Sequence, residues 1–128
     1  MRRVLQVLFA GGLATLSGAV AASPEQVKGI LIDNMCSAKA EVRVLSTGIE
    51  GGLVVAEAHT RECALMPACQ RSGYGIFTYD NKFLKFDEHG SHEALAAIKA
   101  SKKLGDLEVE VTGEIKGDTI KVSSLKLL

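Results

Sequence analysis

Polar and apolar positions alternate most clearly near the end of the chain. There Leu107, Val109 and Val111 are separated by Glu108, Glu110 and Thr112, the period of two that a half-buried strand requires. After the turn sequence Lys116-Gly117-Asp118 the pattern resumes at Ile120 and Val122. Beyond Ser123-Ser124 it slips phase to Leu125 and Leu127, and a β-bulge there absorbs the extra residue. Two further runs, 75–79 and 82–87, hold most of the aromatic residues and are joined by Asp80-Asn81, whose short side chains tolerate the positive φ of a hairpin turn. The run Val27 to Asp33 predicts a first strand. Ser91 is expected to cap a helix over 92–102, with Lys99, Lys102 and Lys103 in its last turn and Gly105 as its stop.

Between the first strand and the aromatic hairpin the pattern is less regular. Residues 41–45 (E-V-R-V-L) and 53–57 (L-V-V-A-E) flank a glycine-rich turn and suggest a hairpin, although the Ala and Glu residues from Val54 to Cys63 suit a helix as well. His59 to Met66 reads as a short helix with Thr60 as its N-cap and Pro67 closing it, after which 69–73 forms a turn. With this segment set aside, the order is three strands, a helix and two strands. That is the element order of a small OB-like five-stranded barrel, an α+β fold that is mainly β. It carries one helix between strands 3 and 4 and a Cys/His-bearing insertion at about 34–73, after strand 1.

The opening of the chain changes the compartment. Arg2 and Arg3 precede a charge-free stretch from Val4 to Val20 that ends in small residues, the arrangement of a signal peptide over residues 1–22. Its glycines and Pro24 suit a retained anchor poorly. The expected product is a single periplasmic or secreted domain, residues 23–128, with 13 basic against 15 acidic side chains and no stable membrane insertion. A near-neutral charge with no basic cluster argues against nucleic acid, which leaves a protein or a small ligand as partner.

Export favours disulfides, yet three cysteines cannot all pair internally. Cys36, His59, Cys63 and Cys69 are the residues that could act together. If His59 and Cys63 stand i and i+4 on one helix face, Cys69 can turn back after Pro67 and Cys36 can approach from the first strand. Three thiolates and an imidazole make a tetrahedral zinc set. Met66 adds a thioether, and soft sulfur with imidazole also suits copper. The same spacing fits a Cys63–Cys69 disulfide, or Cys36 paired with either, in a stapled barrel that binds a protein, glycan or small ligand through Tyr74, Phe77, Tyr79, Phe83 and Phe86. No C-x-x-C or Ser-His-Asp order points to catalysis, so the expected protein is not an enzyme; a Cys36-dependent thiol enzyme is the weakest reading. His89 and His92 beside Asp87 and Glu88 read as a polar helix approach. The glycines at 48–52 lack the Lys-Ser/Thr of a phosphate loop.

At Asp33-x-x-Cys36, His59-Thr-x-x-Cys63-Ala-Leu-Met-Pro-x-Cys69-x-x-Ser72-Gly73-Tyr74-Gly75 and Val111-x-Gly113-x-x-x-Gly117-Asp118-Thr119-Ile120, the chain resembles a family of small exported bacterial proteins with no established activity. The resemblance implies a signal peptide, an OB-like barrel and a Cys/His cluster that works as one unit. The segment 40–58 lies outside the shared pattern.

Overall fold

The computed structural model describes residue 18 and residues 23–39 and 52–128. Apart from Gly18, the expected signal peptide lies outside these residues, as does the first arm of the expected hairpin at 41–45. Five strands are described: β1 (Glu25–Asp33), β2 (Tyr74–Thr78), β3 (Phe83–Phe86), β4 (Glu108–Lys116) and β5 (Thr119–Leu127). They close in a ring in the order β1-β2-β3-β5-β4, antiparallel throughout except for the β3–β5 pair. Five helical segments complete a strand-rich α+β domain: α1 (34–39), α2 (Gly52–Glu57), α3 (Arg61–Ala64), α4 (Pro67–Ser72) and α5 (Glu88–Ala100).

Closure depends on β1, which serves two neighbours. Its first half pairs with β4 from Glu25↔Gly113 to Ile30↔Glu108, and its second half with β2 from Gly29↔Thr78 to Asp33↔Tyr74. Gly29 stands where the two ladders overlap. A Cβ there would lie 2.0 Å from the Phe77 carbonyl oxygen, so the strands close only because the side chain is absent. The phase slip expected in β5 is present: Thr112 faces Ser124 and Gly113 faces Val122, leaving Ser123 as the extra residue of a bulge. Asn81 takes φ 63° in the β2–β3 turn, as the Asp80-Asn81 sequence predicts.

Alternation sorts the side chains into two cores. Leu31, Tyr74, Ile76, Val109, Val111 and Ile120 fill the ring and meet Ala94 and Ile98 of α5. Ile30, Ile32 and Phe77 point to the opposite face, where Ala56 of α2 buries them. This second cover explains why β1 reads as a nearly unbroken apolar run rather than an alternating one.

The helices depart from expectation in four places. Residues 52–57 form α2 instead of a strand, because Gly52 and Ala56, one turn apart, are the small residues that let a helix lie against Phe77. Pro67 begins α4 rather than only ending α3; as the first helical residue it gives up an N–H that has no partner there anyway, and so 69–73 is not a simple turn. The helix before it is only Arg61–Ala64, capped by Thr60 as expected, and His59 precedes the cap. Finally α5 starts four residues early, at Glu88. Asp87 is its N-cap, accepting from the Gly90 N–H at 3.0 Å, while Ser91 lies inside the helix and its Oγ accepts from the Tyr74 N–H.

Candidate metal centre

Asp33 ends β1 fully buried, and one of its carboxylate oxygens organises the next turn: Oδ1 accepts from the Cys36 N–H at 2.8 Å. This is an N-cap bond, carboxylate to the third residue onward, and it places Cys36 directly over Asp33. Cys69 comes from α4, whose C-terminal end three hydrogen bonds tie to the start of α1, while a fourth links Ser72 back to Cys69 within α4. The Asn34 N–H donates to the Gly73 carbonyl at 2.9 Å, Asn34 Nδ2 to the Ser72 carbonyl at 2.6 Å, the Met35 N–H to Ser72 Oγ at 3.3 Å, and Ser72 Oγ to the Cys69 carbonyl at 2.7 Å. As a result a carboxylate oxygen of Asp33 and the sulfurs of Cys36 and Cys69 all lie within 4.8 Å of one another.

His59 reaches this trio through Asp33. Its backbone N–H is held by the Ala56 carbonyl, and the next residues are pinned by a Thr60–Gly105 bridge and by Arg61, whose side chain donates to the carbonyls of Ile98 and Lys99 at the end of α5. The ring is thereby pushed inward until Nε2 lies 2.7 Å from Asp33 Oδ2, with both side chains almost wholly buried. Within that contact each atom is the other's polar partner, and His59 Nδ1 is left without a hydrogen-bond partner. A buried ring nitrogen left in this way is costly unless something else satisfies it.

The surroundings set the protonation of the site. Burial pushes the Cys36 thiol up to about 12, and the Asp33 charge reinforces it; the Cys69 thiol is raised for the same two reasons. Burial also opposes ionisation of Asp33, but His59 and the Cys36 N–H together outweigh it and hold the carboxyl below its ordinary value. The centre is thus one carboxylate beside two protonated thiols. Such thiols are poor nucleophiles at neutral pH, which counts against thiol catalysis at Cys36. They remain competent ligands for an ion that can displace their protons.

Of the residues singled out by sequence, Cys36 and Cys69 meet in the trio and His59 stands against Asp33. Cys63, on α3, lies outside the trio. Met66 caps α4 and is 52% exposed. The shared helix face expected for His59 and Cys63 does not exist, because the helix begins only after His59. All three cysteines are free, with no disulfide among them. The residue that sequence reasoning missed as a candidate ligand is Asp33. Its signal was the Asp-x-x-Cys spacing, which is that of an N-cap and the third residue of a helix.

Comparison with known protein families, with curated proteins and with solved structures finds no match for this chain.

Proposed function

We propose that this domain is an exported OB-like module that binds one thiophilic transition-metal ion, zinc or copper, through Asp33, Cys36 and Cys69, with His59 holding the Asp33 carboxylate. The OB-like description is supported by the ring order β1-β2-β3-β5-β4, the parallel β3–β5 pair and the helix between β3 and β4. Export is supported by the basic and apolar opening of the sequence. Among the described residues no helix is long and apolar enough to cross a membrane.

The observation that carries the metal reading is the trio itself, one carboxylate oxygen and two sulfurs within 4.8 Å. Bonds of about 2.0 Å to oxygen and about 2.3 Å to sulfur place tetrahedral ligands roughly 3.5–3.8 Å apart, so side-chain rotation closes the gap. A cation would also offset the two features that are unfavourable without it, the desolvated carboxylate and the raised thiols. The alternative of a stapled barrel binding through its hairpin aromatics has less support. Tyr74, Phe77 and Phe86 are buried and Phe83 packs against Phe77, which leaves Tyr79 as the exposed ring.

The test is native and denaturing mass measurement of the reduced chain after incubation with zinc and removal of excess. The expected result is one zinc in the native state, absent after denaturation. Cys36→Ser and Cys69→Ser should each lose it, and Cys63→Ser should retain it. A metal-free native mass, or loss of zinc in Cys63→Ser alone, would overturn the assignment.

A further inference from the structure

The geometry points to a redox gate on this centre: Cys36 and Cys69 join in a disulfide that excludes the metal, so that metal-bound dithiol and metal-free disulfide are two states of one pair. The inference rests on the metal-binding reading above and adds its control.

The two sulfurs belong to different elements, α1 and α4, yet lie within 4.8 Å of one another. A disulfide requires about 2.05 Å, and a change of χ1 rotamer swings a sulfur by roughly 3 Å, so the bond forms without moving either backbone far. The backbone is held ready by the hydrogen bonds from Asn34 and Met35 to Ser72 and Gly73, which keep the two elements together in either state. The pair is also asymmetric in access: Cys36 is partly exposed and Cys69 is buried. Cys36 is therefore the thiol that meets an external disulfide, and Cys69 is the one that resolves it.

The oxidant is a small or protein disulfide, RSSR. Cys36 sulfur attacks one sulfur of RSSR, forming a mixed disulfide and releasing RSH. Cys69 sulfur then attacks the Cys36 sulfur and releases the second RSH. Two electrons pass from the cysteine pair to RSSR, and the two thiol protons end on the two RSH molecules. From the metal-bound state, where the ion has already displaced the thiol protons, the same two exchanges consume two of its three ligands. The two released thiolates take their protons from water, and the ion leaves to solvent. Asp33 alone then remains of the three ligands.

The experiment uses the reduced wild-type chain, with and without one equivalent of zinc, incubated with oxidised glutathione at mildly alkaline pH. Linked peptides are then mapped. Trypsin places Cys36 in residues 29–39 and both other cysteines in residues 62–71. Cyanogen bromide cleavage at Met66 separates Cys63 from Cys69. The expected product is about 2 Da lighter, linked Cys36 to Cys69, with Cys63 free. It should bind no zinc until reduced, and prior zinc loading should slow its formation at least ~10-fold, because a ligated sulfur is a poor nucleophile. Cys63→Ser should behave in the same way. A Cys63–Cys69 link, glutathione retained on Cys36 with no internal bond, or zinc bound equally by the oxidised chain would overturn the gate while leaving the metal reading intact. Absence of zinc from the reduced chain would instead overturn the metal reading.

Discussion

Nε2 of His59 lies 2.7 Å from Oδ2 of Asp33 in the interior of the domain, and no other residue gives either atom a hydrogen bond. Each residue is the other's nearest source of compensation, so removing one strands the other. Leaving a buried polar group, here a carboxylate, without its partner typically costs about 1–3 kcal/mol, and more for a charged group. We expect His59→Ala to lower the unfolding free energy of the metal-free chain by about 3 kcal/mol in urea titrations. Zinc affinity should fall by about 10–100-fold, the usual effect of losing a residue that orients a ligand. A variant that keeps wild-type stability and wild-type zinc affinity would show the contact to be inert.

Asp33 gives this centre an acid limit. Its folded carboxyl is held below the ordinary value of 3.8, so its contribution to stability is complete above that value and is lost as pH falls through the lower, folded one. Thermal unfolding of the metal-free chain followed from pH 6 to pH 2 should show a decline that begins below about pH 4. Asp33→Asn should flatten that decline, because the amide does not titrate. An unchanged acid profile in Asp33→Asn would place the sensitivity elsewhere.

The alkaline side has the opposite sign. Cys36 is raised from 9.0 to about 12, so the unfolded chain loses this proton first, and stability falls as pH rises from about 9 towards 12. In the same range the thiol should be sluggish. At pH 8 its alkylation by iodoacetamide should be at least ~10-fold slower than that of free cysteine, the scarcity of thiolate outweighing its greater basicity. Rapid labelling of Cys36 in the folded, metal-free chain would contradict the raised value.

Local pattern made the strands legible, and distance in sequence hid the centre. The β2–β3 turn at Asp80-Asn81 and the Ser123 bulge are each written in a few adjacent residues, and both occur where the pattern puts them. The insertion was read less well. A proline after a short helical run signals an end, and nothing local says that it also starts a new helix. Asp33 was hidden for a different reason. An Asp at the end of a strand ordinarily marks a turn, and its second role depends on Cys69, 36 residues away, and on the packing that drives His59 inward. The i, i+4 spacing of His59 and Cys63 was a genuine helical period, but the Thr60 cap falls between them and removes the shared face.

Tyr74 separates support of the fold from support of the metal. Its register partner is Asp33, and its hydroxyl donates to the Ala64 carbonyl at 2.6 Å in the buried interior, tying α3 to the start of β2. Tyr74→Phe leaves that carbonyl without its donor, at a cost of about 1–2 kcal/mol. For a domain of this size the melting temperature should drop by roughly 4–10 °C. The trio is not touched by this bond, so zinc stoichiometry should remain at one per chain. Loss of zinc from a folded Tyr74→Phe variant would mean that α3 helps to position the ligands, and Cys63 would then be reconsidered as one of them.

Gly29 tests the closure of the sheet. Adding a methyl group at the overlap of the β1–β4 and β1–β2 ladders forces Cβ into the Phe77 carbonyl, which lies 2.0 Å from its ideal position. Backbone cannot yield there without opening one ladder, and overpacking of this kind costs about 1–3 kcal/mol or more. Gly29→Ala should therefore unfold at markedly lower urea concentration than wild type. Amide exchange should quicken in the second half of β1, from Ile30 to Asp33, because that half is held by the Phe77 strand. Exchange that quickened only at Glu25 to Lys28 would mean that the β4 ladder gives way first, leaving Asp33 and its centre in place.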